Sequence, residues 1–271
     1  MTAIRRPLVL LIIAAALLGL LALPAVAGAT EQAKLHVSFQ PDHLGKSTTI
    51  HFDIALTTRP GEIPTPITDI SIALPVGMGL GTTDLGEDTC NPTQLIERSL
   101  LGCSPNSQMG HGKAIVGLPV GGQVIENEAE ITIFMAKPEH ETTSMMFYAD
   151  THYPVAEEEI FMSQLLPQSK GPFGASLNTV LPIIEPWPEA SDTAILRLES
   201  TLGPSGLTYY EWAHGKEVGY TPTGMDVPET CPRHGFPFAA TFTFKSGASI
   251  STATTVPCPR VPKRGHKGQR K

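Results

Sequence analysis

The stretch Cys231–Cys258 reads CPRHGFPFAATFTFKSGASISTATTVPC, and its alternation decides the fold class. Phe236, Phe238, Ala240, Phe242 and Phe244 fall on every second residue, with Thr241, Thr243 and Lys245 between them. A period of two marks a strand with one buried face. The return run Ala248, Ile250, Thr252, Thr254 and Val256 keeps the same parity, more weakly. Lys245-Ser246-Gly247 between the runs suits a three-residue loop with glycine in the left-handed position. In that register Phe242 faces Ile250 and Phe244 faces Ala248, and a Cys231–Cys258 disulfide closes the open end of the hairpin.

The same alternation recurs through the 271 residues. It is clear in Lys34–Phe39, Thr48–Leu56 and Ile67–Leu74. It continues in Gly112–Val120 and Gln123–Lys137, which turn at Gly121-Gly122. Thr142–Tyr153, Ile160–Leu166, Ala175–Ile184, Thr193–Leu202 and the run opened by Tyr209-Tyr210-Glu211-Trp212 follow. About a dozen short strands at this spacing predict an all-β protein. The expected architecture is an antiparallel β-sandwich, immunoglobulin-like or jelly-roll, as one large domain or two small ones. Residues 30–170 and 171–259 form the two halves, with Pro167–Gly174 the candidate boundary and Glu185-Pro186-Trp187-Pro188 a second. One short helix is predicted after the Asn91 cap and Pro92, ending at Gly102 and clamped by Cys90–Cys103.

The first 29 residues read as a targeting segment: Arg5 and Arg6, an apolar run from Leu8 to Leu23, then Pro24 and small residues. The run is shorter than the ~20 residues that span a bilayer. Cleavage is therefore expected, and membrane contact arises only through this segment if it is uncut. Four cysteines behind an export signal read as two disulfides. Three pairings are open, and Cys90–Cys103 with Cys231–Cys258 is favoured because each pair brackets a local loop. Their spacings fit no zinc motif, so no metal and no cofactor is expected.

Charge is segregated. All 26 acidic residues lie between Glu31 and Glu229, whereas six of the 19 basic ones crowd into residues 260–271. The acidic body excludes nucleic acid as the main partner. The basic tail reads as a solvated, disordered end, or as a contact for an anionic envelope polymer or lipid surface. The expected compartment is secreted or envelope-associated, and the oligomeric state is not fixed by these features.

The run CSPNSQMGHGKA, from Cys103 to Ala114, resembles a CPxxSxxGxGxA element of exported, β-rich, Cys-paired proteins from high-GC Gram-positive bacteria. Such proteins also tend to end in a Phe-rich hairpin between two cysteines. The resemblance implies export, disulfides and an all-β fold. It departs at Ser104, where proline is commoner, and it implies no activity.

No nucleophile elbow and no HExxH occurs. Gly110-His111-Gly112-Lys113 fails as a phosphate loop because Ser107 and Ala114 stand where glycine and a hydroxyl are needed. Three constellations remain. Tyr148, Asp150 and His152 share a strand face and, with Glu157, Glu158 and Glu159 nearby, suit a metal-dependent hydrolase; the plainer account is a polar strand face beside an acidic loop. Asp84, Glu87 and Asp88 offer oxygen ligands for calcium without the spacing of a calcium loop. Trp187, Tyr210 and Trp212 suit a sugar-stacking platform, or simply core packing. The leading expectation is a non-enzymatic binding or scaffold protein, with a glycan or envelope polymer as partner. Carbohydrate recognition and metal-dependent hydrolysis are the alternatives.

Overall fold

The computed structural model describes residues 31–80, 85–139, 141–169 and 171–259. The proposed targeting segment, the basic tail and Asp84 lie outside these residues. The early strands are β1 (Gln32–Gln40), β2 (Ser47–Thr57), β3 (Ile67–Pro75) and the short β4 (Gly79–Leu80). Helix α1 (Pro92–Arg98) follows, then β5 (Gln108–Val120), β6 (Gln123–Glu139), β7 (Thr142–Thr151), β8 (Glu157–Pro167), β9 (Phe173–Val180) and β10 (Ala194–Leu202). The chain closes with β11 (Tyr209–Ala213), β12 (Lys216–Tyr220), β13 (Met225–Asp226), β14 (Phe236–Phe244) and β15 (Ser249–Val256).

All strands except the β11–β12 hairpin join one antiparallel sheet, in the order β15-β14-β3-β9-β8-β7-β6-β5-β10-β2, with β1 on β2. Strand β1 lies beside β15 without a ladder between them, so the sheet curls into a nearly closed barrel. The expected sandwich is thus corrected to a single curled sheet. The candidate boundary Pro167–Gly174 is the turn between β8 and β9, which pair directly. Both expected halves therefore contribute to one sheet.

The quoted hairpin forms as its alternation requires. Phe242 pairs with Ile250, Phe244 N donates to Ala248 O at 2.9 Å, and Gly247 takes φ +81°. The five alternating residues of β14 from Phe236 to Phe244 are all buried, and Phe238 packs edge-on against Phe39 and Phe52. Both disulfides pair as expected, Cys90 with Cys103 and Cys231 with Cys258. Asn91 caps α1 by accepting from Thr93 N at 2.9 Å, with Pro92 in the first turn.

Curling a sheet needs positions where strands bend sharply, and glycine supplies them. Gly110 and Gly112 in β5 lie so close to β10 that a Cβ would collide with the carbonyls of Thr201 and Glu199. The Cys103–Ala114 element thus has a structural task. Ser104 caps a short turn by accepting from Asn106 N, Ser107 is buried, the glycines admit β10 at close range and Ala114 faces the core.

Pairing sorts the residues into an outside and an inside. One ladder row runs His36, Asp53, Glu199, Lys113, Glu130, Asp150, Glu158 across seven strands. The adjacent row runs Leu35, Ile54, Leu198, Ala114, Ala129, Thr151, Glu157. The first row faces water and the second faces the core. A charged exterior around an apolar interior is the reverse of an outer-membrane barrel, whose lipid-facing side is apolar.

The strands run alternately between two ends. The end where β6 meets β7, β8 meets β9 and Cys231 joins Cys258 is filled. Leu85, Met109, Leu207, Tyr209, Met225 and Val227, most from the long connections around β5 and β10, are buried there in the common core. Tyr209 is anchored through its hydroxyl, which donates to Gln108 O at 2.5 Å and accepts from Gly86 N at 2.8 Å. Burial pushes its pKa up to about 12. Helix α1 instead covers the outside of β6 and β7, burying Leu95 against Phe134, Met146 and Tyr148 in a second small cluster.

Candidate functional site

A cavity of about 140 Å³ occupies the barrel toward the other end, where β7 turns into β8 and β9 runs toward β10. Its walls are predominantly apolar: Ile70 and Ile72 from β3, Ile131 and Ile133 from β6, Phe147 from β7, Phe161 from β8, Leu177 from β9 and Leu198 from β10. It reaches solvent among Pro66, Val155, Pro182, Ile184 and Thr193, of which Pro182 is exposed. The size is close to the roughly 150 Å³ of an apolar cavity that stays dry and accepts benzene. An apolar lining with a few polar groups is the usual make-up of a small-ligand site.

The polar groups stand near the mouth. Asn127 on β6, Thr151 on β7 and Glu157 and Glu159 on β8 all line the cavity. Asn127 Nδ2 donates to the Val155 carbonyl at 2.9 Å, and Thr151 Oγ1 donates to the same oxygen at 2.7 Å. These two bonds pin the β7–β8 turn to the rim. Asn127 is 4% exposed, and its Oδ1 has no hydrogen-bond partner among the described residues. Desolvation, then the neighbouring charge of Glu157, raises the pKa of Glu159 above the usual carboxylate range.

The sequence places Glu157–Glu159 in an acidic loop; the structure makes them the first residues of β8. A readable signal existed: Glu157, Glu159, Phe161, Ser163 and Leu165 form one alternating set ending in inward-facing residues. Two carboxylates at inward positions defeat a hydrophobicity count, so the strand start and the cavity were both missed.

The sheet divides the hydrolase constellation, leaving Glu158 alone of the three glutamates on the face of Asp150 and His152. Asp150 pairs with Glu158 on the outer row, and His152 Nδ1 lies 3.2 Å from Asp150 Oδ1 on that side. Glu157 and Glu159 line the cavity on the opposite face of the sheet. Tyr148, expected on a polar face with Asp150, is buried beneath α1, and that burial raises its pKa. Of the calcium candidates, Glu87 and Asp88 are exposed, and Asp88 accepts a hydrogen bond from Ser104 Oγ. Among the described residues no three His, Cys, Asp or Glu side chains group as a metal site.

The three aromatic candidates are exposed: Trp187 42%, Tyr210 43% and Trp212 77%. They are not one platform. Thr193 N donates to Ile184 O, closing the loop that carries Trp187 just before β10. Tyr210 exchanges two 2.8 Å hydrogen bonds with the Asn106 side chain, at the far end of β10. The nine residues of β10 between them span about 30 Å. Tyr210 and Trp212 alone share a strand face.

A second recess of about 510 Å³ lies on the outer wall among His36, His51, Asp53, His111, Lys113, Glu130, Arg197 and Glu199. Its charges largely satisfy one another. Arg197 holds Asp53 through two 3.0 Å bonds and Glu199 at 2.8 Å, and Lys113 pairs with Glu128. Burial, then the proximity of His111, lowers the His51 pKa.

Compared with models of protein families, with curated proteins and with solved structures, this chain matches none.

Proposed function

We propose that this protein is an exported, disulfide-stabilised, non-enzymatic binding protein that holds a small apolar ligand inside its barrel. The observation that carries the reading is the cavity, apolar in its walls and filled beneath by the segments around β5 and β10. Two disulfides suit an oxidising, extracellular setting. The likeness of Cys103–Ala114 to exported β-rich proteins supports the same compartment. The inward carboxylates are separated from Asp150 and His152 by the sheet, which favours binding over hydrolysis.

The test is titration of the oxidised protein with benzyl alcohol, followed by calorimetry. Saturable one-to-one binding is expected. It should be lost in Ala149→Phe, whose ring would occupy the space beside Phe147 and Glu159. Binding that does not saturate, or that survives the filled cavity unchanged, would sink the reading.

Exposure of Tyr210 and Trp212 on one face of β11 keeps a second reading in play, recognition of an envelope glycan. Pull-down by insoluble cell-wall polysaccharide, lost in Tyr210→Ala with Trp212→Ala, is its expected outcome. Equal retention of the double variant would end it.

A further inference from the structure

We propose that the cavity selects ligands whose polar end is a protonated amine, a short alkyl or aryl ammonium. This rests on the reading of the cavity as a ligand site and adds the chemical class of what enters it.

Donors and acceptors around Asn127 are unequal in number. The Val155 carbonyl can only accept, so the Asn127 amide must turn its nitrogen toward it. That fixes Oδ1 as the atom left over, in a side chain 4% exposed on the cavity wall, without a partner among the described residues. A buried acceptor without a donor is unfavourable and rare in a folded protein. Glu157 and Glu159, two residues apart on β8, turn their carboxylates to the same space. Thr151 pairs directly with Glu157, and its hydroxyl donates to the Val155 carbonyl at 2.7 Å.

The cavity lining holds no lysine, arginine or histidine. The polar corner therefore offers acceptors and negative charge. Its complement is a group rich in donors and positively charged. An ammonium has three N–H donors and no acceptor, which complements a corner of two carboxylates and an amide oxygen. Hydrogen bonds to charged groups are worth more than neutral ones, and more still away from water. A carboxylate-headed ligand meets repulsion at the same place. The apolar walls then take the hydrocarbon portion, which a volume near 140 Å³ restricts to a ring or a short chain.

The test compares three probes with one ring, benzylamine, benzyl alcohol and benzoate, titrated into the oxidised protein at pH 7.5. Benzylammonium is expected to bind roughly tenfold tighter than benzyl alcohol, and benzoate weaker than either. Glu157→Gln with Glu159→Gln should abolish the preference for the amine, and a cooperative thermal melt reports that the variant is folded. Lowering the pH until both glutamates are protonated should do the same, because the amine stays charged. Benzyl alcohol binding with no preference for the amine, or a preference that survives the double variant, overturns the assignment of ligand class and leaves the cavity reading standing. Failure of all three probes to bind overturns both.

Discussion

Asp150 and Glu159 lie on neighbouring strands yet face opposite sides of the sheet, because Asp150 pairs with Glu158 while Glu159 pairs with Ala149. One step of register separates a solvated carboxylate from one inside the barrel. A slip of one residue would exchange every inward side chain for an outward one. The position of Glu159 is therefore as firmly set as the hydrophobic residues that share its parity.

Glu159 is held at a cost when ionised. Burial and the adjacent Glu157 raise its folded pKa above the unfolded value. The stabilising share is complete below the unfolded pKa, about 4.3, and is lost as pH rises through the raised folded value. At neutral pH the ionised group opposes folding. Glu159→Gln should therefore raise the melting temperature at pH 7, with the gain vanishing by pH 3.5. Thermal melts at both values check this, and a variant less stable at pH 7 would contradict the placement.

The β5–β10 contact depends on missing side chains. A methyl group at Gly110 would collide with the Thr201 carbonyl, and backbone cannot yield as a flexible side chain can. Gly110→Ala should destabilise the fold by about 3 kcal/mol in urea unfolding. Gly121→Ala is the control. It sits in the β5–β6 turn at φ +58° with nothing within 4 Å, and its left-handed strain costs about 1 kcal/mol. The reverse order would contradict the close approach of β10 to β5.

Phe238 is completely buried and touches two other rings, with centroid separations of 6.0 Å to Phe39 and 6.1 Å to Phe52. Phe238→Ala should cost about 3–5 kcal/mol. Thr241→Val, on the outer face of the same strand, should change stability by under about 0.5 kcal/mol. Chemical denaturation of both variants measures the contrast between faces.

The disulfide Cys231–Cys258 closes a loop of 27 residues in sequence. By the chain-entropy argument, Cys231→Ser with Cys258→Ser should lower stability by roughly 3 kcal/mol. An unfolding experiment on the paired variant, set against the oxidised parent, gives the figure. No change would mean that the Phe-rich hairpin holds its own end without a cross-link.

The sequence by itself determined what is local. Period-two runs such as Phe236–Phe244 specify which face of a strand is buried without reference to any partner. Asn91-Pro92 starts a helix, Gly247 completes a turn, and cysteines 13 and 27 residues apart meet because their loops are short. Those features supplied the all-β class, the helix and both disulfides. Whether the strands would stack as two sheets or curl into one was decided by long-range pairing, above all β10 inserting between β2 and β5 and β3 between β9 and β14. Such neighbours are far apart in the chain, and alternation reads the same in either architecture. The cavity lay further out of reach. Asn127, Glu157 and Glu159 look like ordinary surface residues in sequence, and only closure of the sheet turns their side of it into an interior. The same closure separated Glu159 from Asp150, because proximity along the chain says nothing about which face of a strand a carboxylate will take.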